Sequence, residues 1–134
     1  MINQEEEKKK KHIAILGSTG SIGTQALDVI KSHSDKFIVE VLTSNTNAEL
    51  LIQQAIEFKP NAVVICDESQ YKMVSDALWN HDIKTYAGSA ALEQVVEMEE
   101  IDIVLTALVG YAGLKPTLKA IEAKKAIALA NKET

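Results

Sequence analysis

A doubly wound α/β fold built on one parallel sheet is predicted by three observations. Strand and helix signals alternate from one end of the 134-residue chain to the other. Four of the strand signals are nearly continuous apolar runs, as strands become when helices cover both faces of a sheet. A glycine-rich loop, Gly17-Ser18-Thr19-Gly20-Ser21-Ile22-Gly23, joins the first strand signal to the first helix signal.

The elements follow in order. Residues 12–16 (HIAIL) form the first buried strand. Ile22, Ala26, Val29 and Ile30 recur at helical spacing and predict a helix over 21–32. Residues 37–42 (FIVEVL) read as the second strand. Thr46-x-x-Glu49 is a capping-box pattern opening a helix whose apolar stripe is Leu51, Ile52, Ala55 and Ile56. Pro60-Asn61 ends that helix, and residues 62–66 (AVVIC) give the third strand. Tyr71, Val74, Leu78 and Trp79 mark a third helix, and residues 83–86 (IKTY) a short fourth strand. Ser89 is positioned to cap a helix carrying Leu92, Val95 and Val96. Residues 101–105 (IDIVL) are the fifth strand, Pro116 suits the first turn of a helix bearing Leu118 and Ile121, and residues 126–129 (AIAL) are the sixth strand. The expected strand order is 3-2-1-4-5-6, with right-handed crossovers and the ligand at the carboxyl ends of the strands, where strands one and four separate.

A glycine loop between a strand and a helix has one well-understood chemical use: it brings backbone N–H groups and a helix amino terminus up to a phosphate. Gly17, Gly20 and Gly23 divide the work among the tight turn, the close approach to a diphosphate and the packing of helix on strand. Ser18, Thr19 and Ser21 add hydroxyls within reach of phosphate oxygens, and Ile22 follows as the first apolar helical position. The bland alternative is a plain strand-to-helix turn capped by Ser21. Strand, loop and helix together point to a Rossmann-like dinucleotide site.

Bulk properties narrow the class. The chain is 46% hydrophobic and 25% charged, ordinary for one globular domain able to bury its own core. A net charge of −5 argues against nucleic acid as a partner. Cys66 is the single cysteine, which rules out an internal disulfide and fits a reducing, cytoplasmic setting. No run has the length of a membrane span, and no signal-peptide core follows the start. Residues 1–11 read as a charged, solvated tail, because Glu5, Glu6 and Glu7 offset the lysines.

The loop after strand two distinguishes nucleotides. An NAD site places an acid near the end of that strand to hold the ribose diol. Here the run is Thr43-Ser44-Asn45-Thr46-Asn47, with no acid, and Glu40 comes too early. An uncharged polar loop does not repel a 2′-phosphate, so the reading favours NADP(H), although the arginine often paired with that phosphate is missing. Asn45, Thr46 and Asn47 are candidate cofactor contacts; helix capping is an equal alternative for Thr46 and Asn47.

Three segments together resemble one family. They are the glycine loop at 17–23, the segment at 106–117 (TALVGYAGLKPT) and the segment at 128–134 (ALANKET). The chain is similar, over residues 12–134, to the amino-terminal NADPH-binding domain of 1-deoxy-D-xylulose 5-phosphate reductoisomerases. The resemblance implies conversion of that phosphorylated sugar to 2-C-methyl-D-erythritol 4-phosphate in isoprenoid precursor synthesis. NADPH serves as hydride donor and Mg²⁺ or Mn²⁺ as Lewis acid. It implies that Thr19, Gly20, Ser21 and Ile22 hold the diphosphate and that Asn47 contacts the cofactor. Asn131 and Glu133 would lie beside the nicotinamide, and Lys132 would meet the substrate. Asn45 and Thr46 stand where many members carry Gly-Lys, Thr134 replaces a frequent serine, and Tyr111 a frequent small residue. Tyr111 then either lines the nicotinamide pocket or packs against neighbours. The family's acidic metal ligands, lid and substrate-phosphate contacts have no counterpart in these residues. The expectation is therefore an amino-terminal piece that binds NADPH without turnover and offers no metal ligand and no catalytic residue of its own. The resemblance also implies a homodimer for the complete enzyme.

Other chemistry is weaker. His12, His33 and His81 are far apart, and the expectation is surface or capping roles, with His33 facing a helix C-terminus. Asp67-Glu68 reads as an acid-enriched helix start. Two rival functions remain: a semialdehyde or acyl-phosphate dehydrogenase, for which Cys66 is badly placed as nucleophile, and a non-catalytic dinucleotide-sensing domain.

Overall fold

The computed structural model describes residues 10–107 and 126–129. Its elements are β1 (Lys11–Leu16), α1 (Ser21–Ser32), β2 (Phe37–Ser44), α2 (Ala48–Phe58) and β3 (Ala62–Ile65). There follow a 3₁₀ turn (Glu68–Gln70), α3 (Tyr71–Leu78), a second 3₁₀ turn (Trp79–His81), β4 (Lys84–Ala87), α4 (Ser89–Val95), β5 (Ile103–Thr106) and β6 (Ala126–Leu129). The expected helix after Pro116 lies outside the described residues.

All six strands pair in parallel in one sheet, which bears out the doubly wound α/β class. The expected strand order is corrected. The sheet runs β4-β3-β2-β1-β5-β6, so β4 lies at the edge beside β3 and not between β1 and β5. The cause is polarity. Lys84 and Tyr86 are exposed on β4, whereas a central position is covered on both faces and takes an apolar run. β5 (IVLT) meets that demand and pairs with β1 instead, Ile13 opposite Ile103 through Leu16 opposite Thr106. The point where the chain changes direction across the sheet is therefore the cleft between β1 and β5.

The core has two layers, one on each face. Ile13 and Ile15 pack with Leu27, Ile30, Leu51, Ala55, Val74 and Leu78 from α1, α2 and α3. Ala14 and Leu16 pack with Ala91, Leu92, Val95 and Val96 around α4. The inward stripes differ from the sequence expectation by a fraction of a turn. Val29 is 57% exposed, with Leu27 buried instead, and α2 buries Gln54 while Ile56 is exposed.

Glu40 has a topological explanation. Ile13 pairs with Val39 and Ala14 with Val41, so Glu40 is the extra residue of a β-bulge. The bulge sends Val39 and Leu42 to one face and Val41 to the other. Glu40 is 4% exposed and its carboxylate is shared. His12 Nδ1 lies 2.5 Å from Oε1, and the Asn61 side-chain amide donates to Oε2. His12 is thus a partner to a buried acid, not a surface or capping residue. His33 does cap a helix, closing α1 with Nδ1 2.9 Å from Val29 O.

Two boundaries bear on the site. β2 continues two residues beyond expectation, so Thr43 and Ser44 belong to the strand. The first residue of β5 is Ile103, because the Asp102 carboxylate accepts from the His12 amide at 2.9 Å before the ladder starts.

Candidate functional site

Because the sheet is parallel, the carboxyl ends of its strands share one edge. That edge carries the Gly17–Gly20 loop after β1, Asn45–Asn47 after β2, and Cys66 and Asp67 after β3. Thr106 ends β5, and β6 finishes opposite it at Leu129. Asn131, Lys132, Glu133 and Tyr111 lie outside the described residues.

The three glycines divide the labour by geometry. Gly17 has φ +85°, the left-handed region that a side chain disfavours, so it makes the turn off β1. A Cβ on Gly23 would stand 2.2 Å from Gly17 O and 2.6 Å from Ser18 Cα, so the first turn of α1 packs directly on the loop. A Cβ on Gly20 would have only Gly17 O within reach, at 3.8 Å. Gly20 is therefore not needed by the fold and keeps the space outside the loop open.

Gly20 is also the N-cap of α1 and supplies no side-chain acceptor. The first helical hydrogen bond is Thr24 N to Gly20 O, 2.8 Å. The amides of Ser21, Ile22 and Gly23 precede it and have no helical acceptor. Ser21 is not the N-cap, so the bland alternative for this loop fails. An exposed helix start with free donors and a positive dipole end suits an anion.

Ser18 is corrected. It is fully buried, and its hydroxyl donates inward to Gln54 Oε1 at 2.7 Å, so it does not face a ligand. Thr19 stays half-buried with Oγ1 2.7 Å from Ser44 Oγ.

The second loop is braced from below. Asp67 N donates to Asn45 O (2.9 Å), and Gln70 Nε2 donates to Thr46 O (2.6 Å). The side chains of Asn45, Thr46 and Asn47 are exposed at the same edge as the glycine loop. Asn47, not Thr46, is the N-cap of α2, its Oδ1 accepting from Leu50 N at 3.2 Å. The predicted capping box is thus off by one residue.

Asp67 is an N-cap, as its acidic context predicts. The Ser69 hydroxyl, then the Gln70 side chain and the Ser69 amide, hold its carboxyl below the usual range. Burial pushes the Cys66 thiol up, the opposite of what a catalytic thiolate needs. No group of three or more His, Cys, Asp and Glu suited to a metal occurs among the described residues. No helix among them is long and apolar enough to cross a membrane. A groove of about 360 Å³ lined by Ile30, Lys31, Phe37, Glu57 and Phe58 lies at the amino edge of the sheet, away from these loops.

Sequence reading missed Thr43, Ser44, Gln54 and Gln70, which hold the loops from behind. Gln54 had a signal: a polar residue on the inward stripe Leu51-Gln54-Ala55-Phe58 of α2.

The model of the 1-deoxy-D-xylulose 5-phosphate reductoisomerase family matches residues 13–134. The chain belongs to that family. A reductoisomerase of Bacteroides fragilis is 62% identical over 128 residues, covering 96% of this chain and 33% of that protein. One from Bacteroides thetaiotaomicron is 59% identical over 133 residues, 99% of this chain and 34% of that protein. Among solved structures, the reductoisomerase of Zymomonas mobilis in complex with NADPH superposes with a TM-score of 0.86 at 38% identity, over 91% of this chain and 32% of that one. A reductoisomerase in complex with NADPH, fosmidomycin and magnesium gives a TM-score of 0.86 at 34% identity, over 90% of this chain and 30% of that one. The chain spans about a third of the length of the curated family members it matches.

Proposed function

We propose that this chain is the NADPH-binding part of a reductoisomerase that converts 1-deoxy-D-xylulose 5-phosphate to 2-C-methyl-D-erythritol 4-phosphate. The observation that carries the reading is the amino end of α1: free amides behind Gly20, whose Cβ direction is open. The family relationship and the NADPH complex of the Zymomonas mobilis relative support it.

In this reading Gly17 and Gly23 shape the loop, and Thr19, Gly20, Ser21 and Ile22 take the diphosphate. Asn45, Thr46 and Asn47 take the 2′-phosphoadenosine half, through exposed amides and a hydroxyl that carry no negative charge to repel it. Asn131 and Glu133 lie beside the nicotinamide, and Lys132 contacts the substrate. The nicotinamide, when bound, supplies hydride, and Mg²⁺ or Mn²⁺ held by residues outside this chain stabilises developing negative charge on oxygen. The chain's own residues bind and orient; none of them is a catalytic group. The cofactor domain runs on from β1, whose first residue is Lys11 and not His12, so the charged tail ends before Lys11. The complete enzyme is a cytoplasmic homodimer.

Separate titrations of the chain with NADPH and NADH test this. NADPH should bind tighter by roughly tenfold or more, one charge-assisted phosphate contact's worth. Equal affinities, or no binding, overturn the cofactor assignment. Metal-dependent turnover by these 134 residues alone overturns the division of labour.

A further inference from the structure

We propose that Gln54 is a positioning residue that presets the diphosphate loop and fixes its distance from the 2′-phosphate loop; this rests on the dinucleotide-binding reading above. Gln54 is in the middle of α2, 36 residues from Ser18, and 6% exposed. Both ends of its amide engage that one residue. Nε2 donates to Ser18 O at 2.9 Å, and Oε1 accepts from Ser18 Oγ at 2.7 Å. A buried amide and a buried hydroxyl paired in this way add little net stability over an apolar pair of the same shape. What they add is direction. The Ser18 carbonyl accepts from Gln54 Nε2, and this orients the peptide plane that leads into Thr19 and Gly20.

Thr43 fixes the opposite side. Gly17 N donates to Thr43 Oγ1 and Ser18 N to Thr43 O, each at 2.8 Å. The loop is therefore held through its backbone by β2 and α2, and the amides of α1 are left free for a ligand. A third link joins the two loops, since Ser44 Oγ meets Thr19 Oγ1 at 2.7 Å and accepts from Asn47 N at 3.1 Å. Asn47 opens α2, and Gln54 lies seven residues further on, two turns along the same face. At 1.5 Å per residue the helix sets a span of about 10 Å between its cap and the glycine loop. α2 thus acts as a strut between the two candidate phosphate sites.

The test is Gln54→Met, which keeps length and removes both hydrogen bonds. Two readouts apply: NADPH affinity of the folded variant, and amide exchange of Ser18 relative to Val64 in the core. The expected result is roughly tenfold weaker NADPH binding. Ser18 exchange should be at least about tenfold faster, with Val64 unchanged. An affinity within about twofold of the parent, or equal acceleration at Ser18 and Val64, overturns the proposal, because either marks a purely structural residue. Failure of the parent to bind NADPH would instead sink the underlying reading, and the exchange measurement, which needs no ligand, still decides for or against Gln54. If Gln54→Met does not fold, Gln54→Leu also removes both bonds while placing a helix-favouring apolar side chain on the buried stripe; it should weaken NADPH binding at least about threefold, and an unchanged affinity overturns the proposal equally.

Discussion

Gly20 and Gly23 are three residues apart, and replacing each should damage a different property. At Gly20 the backbone has φ −76° and ψ 173°, an extended conformation that a β-branched residue adopts readily. The new Cβ would be 3.8 Å from Gly17 O, ordinary contact, so Gly20→Val should leave stability within about 1 kcal/mol of the parent, the smaller unfolded ensemble offsetting a poorer N-cap. Its isopropyl group would, however, occupy the space in front of the free amides of α1. Losing about two charge-assisted hydrogen bonds at ~1.5 kcal/mol each costs about 3 kcal/mol, or roughly a hundredfold in NADPH affinity. At Gly23 the order reverses. A Cβ placed 2.2 Å from a backbone oxygen and 2.6 Å from a backbone carbon cannot be relieved by turning a side chain, so α1 must move off the loop. Gly23→Ala should therefore cost about 3 kcal/mol of stability, at the upper end for overpacking. Urea unfolding and a fluorescence titration with NADPH measure both quantities on both variants. Gly20→Val binding NADPH within about threefold of the parent, or Gly23→Ala unfolding at the parental urea midpoint, would refute this assignment of the glycines.

Two further predictions follow from the polar contacts. Glu40→Ala removes the bonds to the His12 ring and the Asn61 amide at the bulge, and should destabilise by about 2 kcal/mol in urea unfolding; an unchanged midpoint would show that the network contributes nothing. The Asp67 carboxyl, held low first by the Ser69 hydroxyl, should titrate by NMR below the ordinary range. Because its folded value is depressed, its contribution is present above the unfolded pKa and fades as pH falls through the folded one. Ser69→Ala should bring the midpoint back towards the ordinary range, and no movement would remove the hydroxyl as the cause.

Much of the fold was legible from periodicity alone. The runs at 62–66 and 126–129 are apolar throughout and that at 12–16 is so after His12, and each becomes a parallel strand within a residue of its expected bounds. The glycine loop was legible because glycine at three fixed positions between strand and helix has few physical causes other than close approach and tight turning. The helix stripes were less legible. α2 carries apolar residues at adjacent positions, so the inward face was ambiguous by part of a turn, and Gln54 went unnoticed on it. The one-residue slip from Thr46 to Asn47 as N-cap has a similar origin, since either side chain can accept a first-turn amide and only the strand's true end at Ser44 selects between them.

The sequence by itself determined the alternation of strands and helices, the strand–glycine–helix unit and the family to which the chain belongs, because these rest on local spacing and residue type. The tertiary structure decided the strand order, the bulge that buries Glu40 and the grip of Gln54 and Thr43 on the loop. Those depend on which segments compete for a doubly covered place in the sheet and on bonds between residues about 25 to 36 positions apart. A pattern read along the chain carries no record of such pairings; they exist only once the layers close.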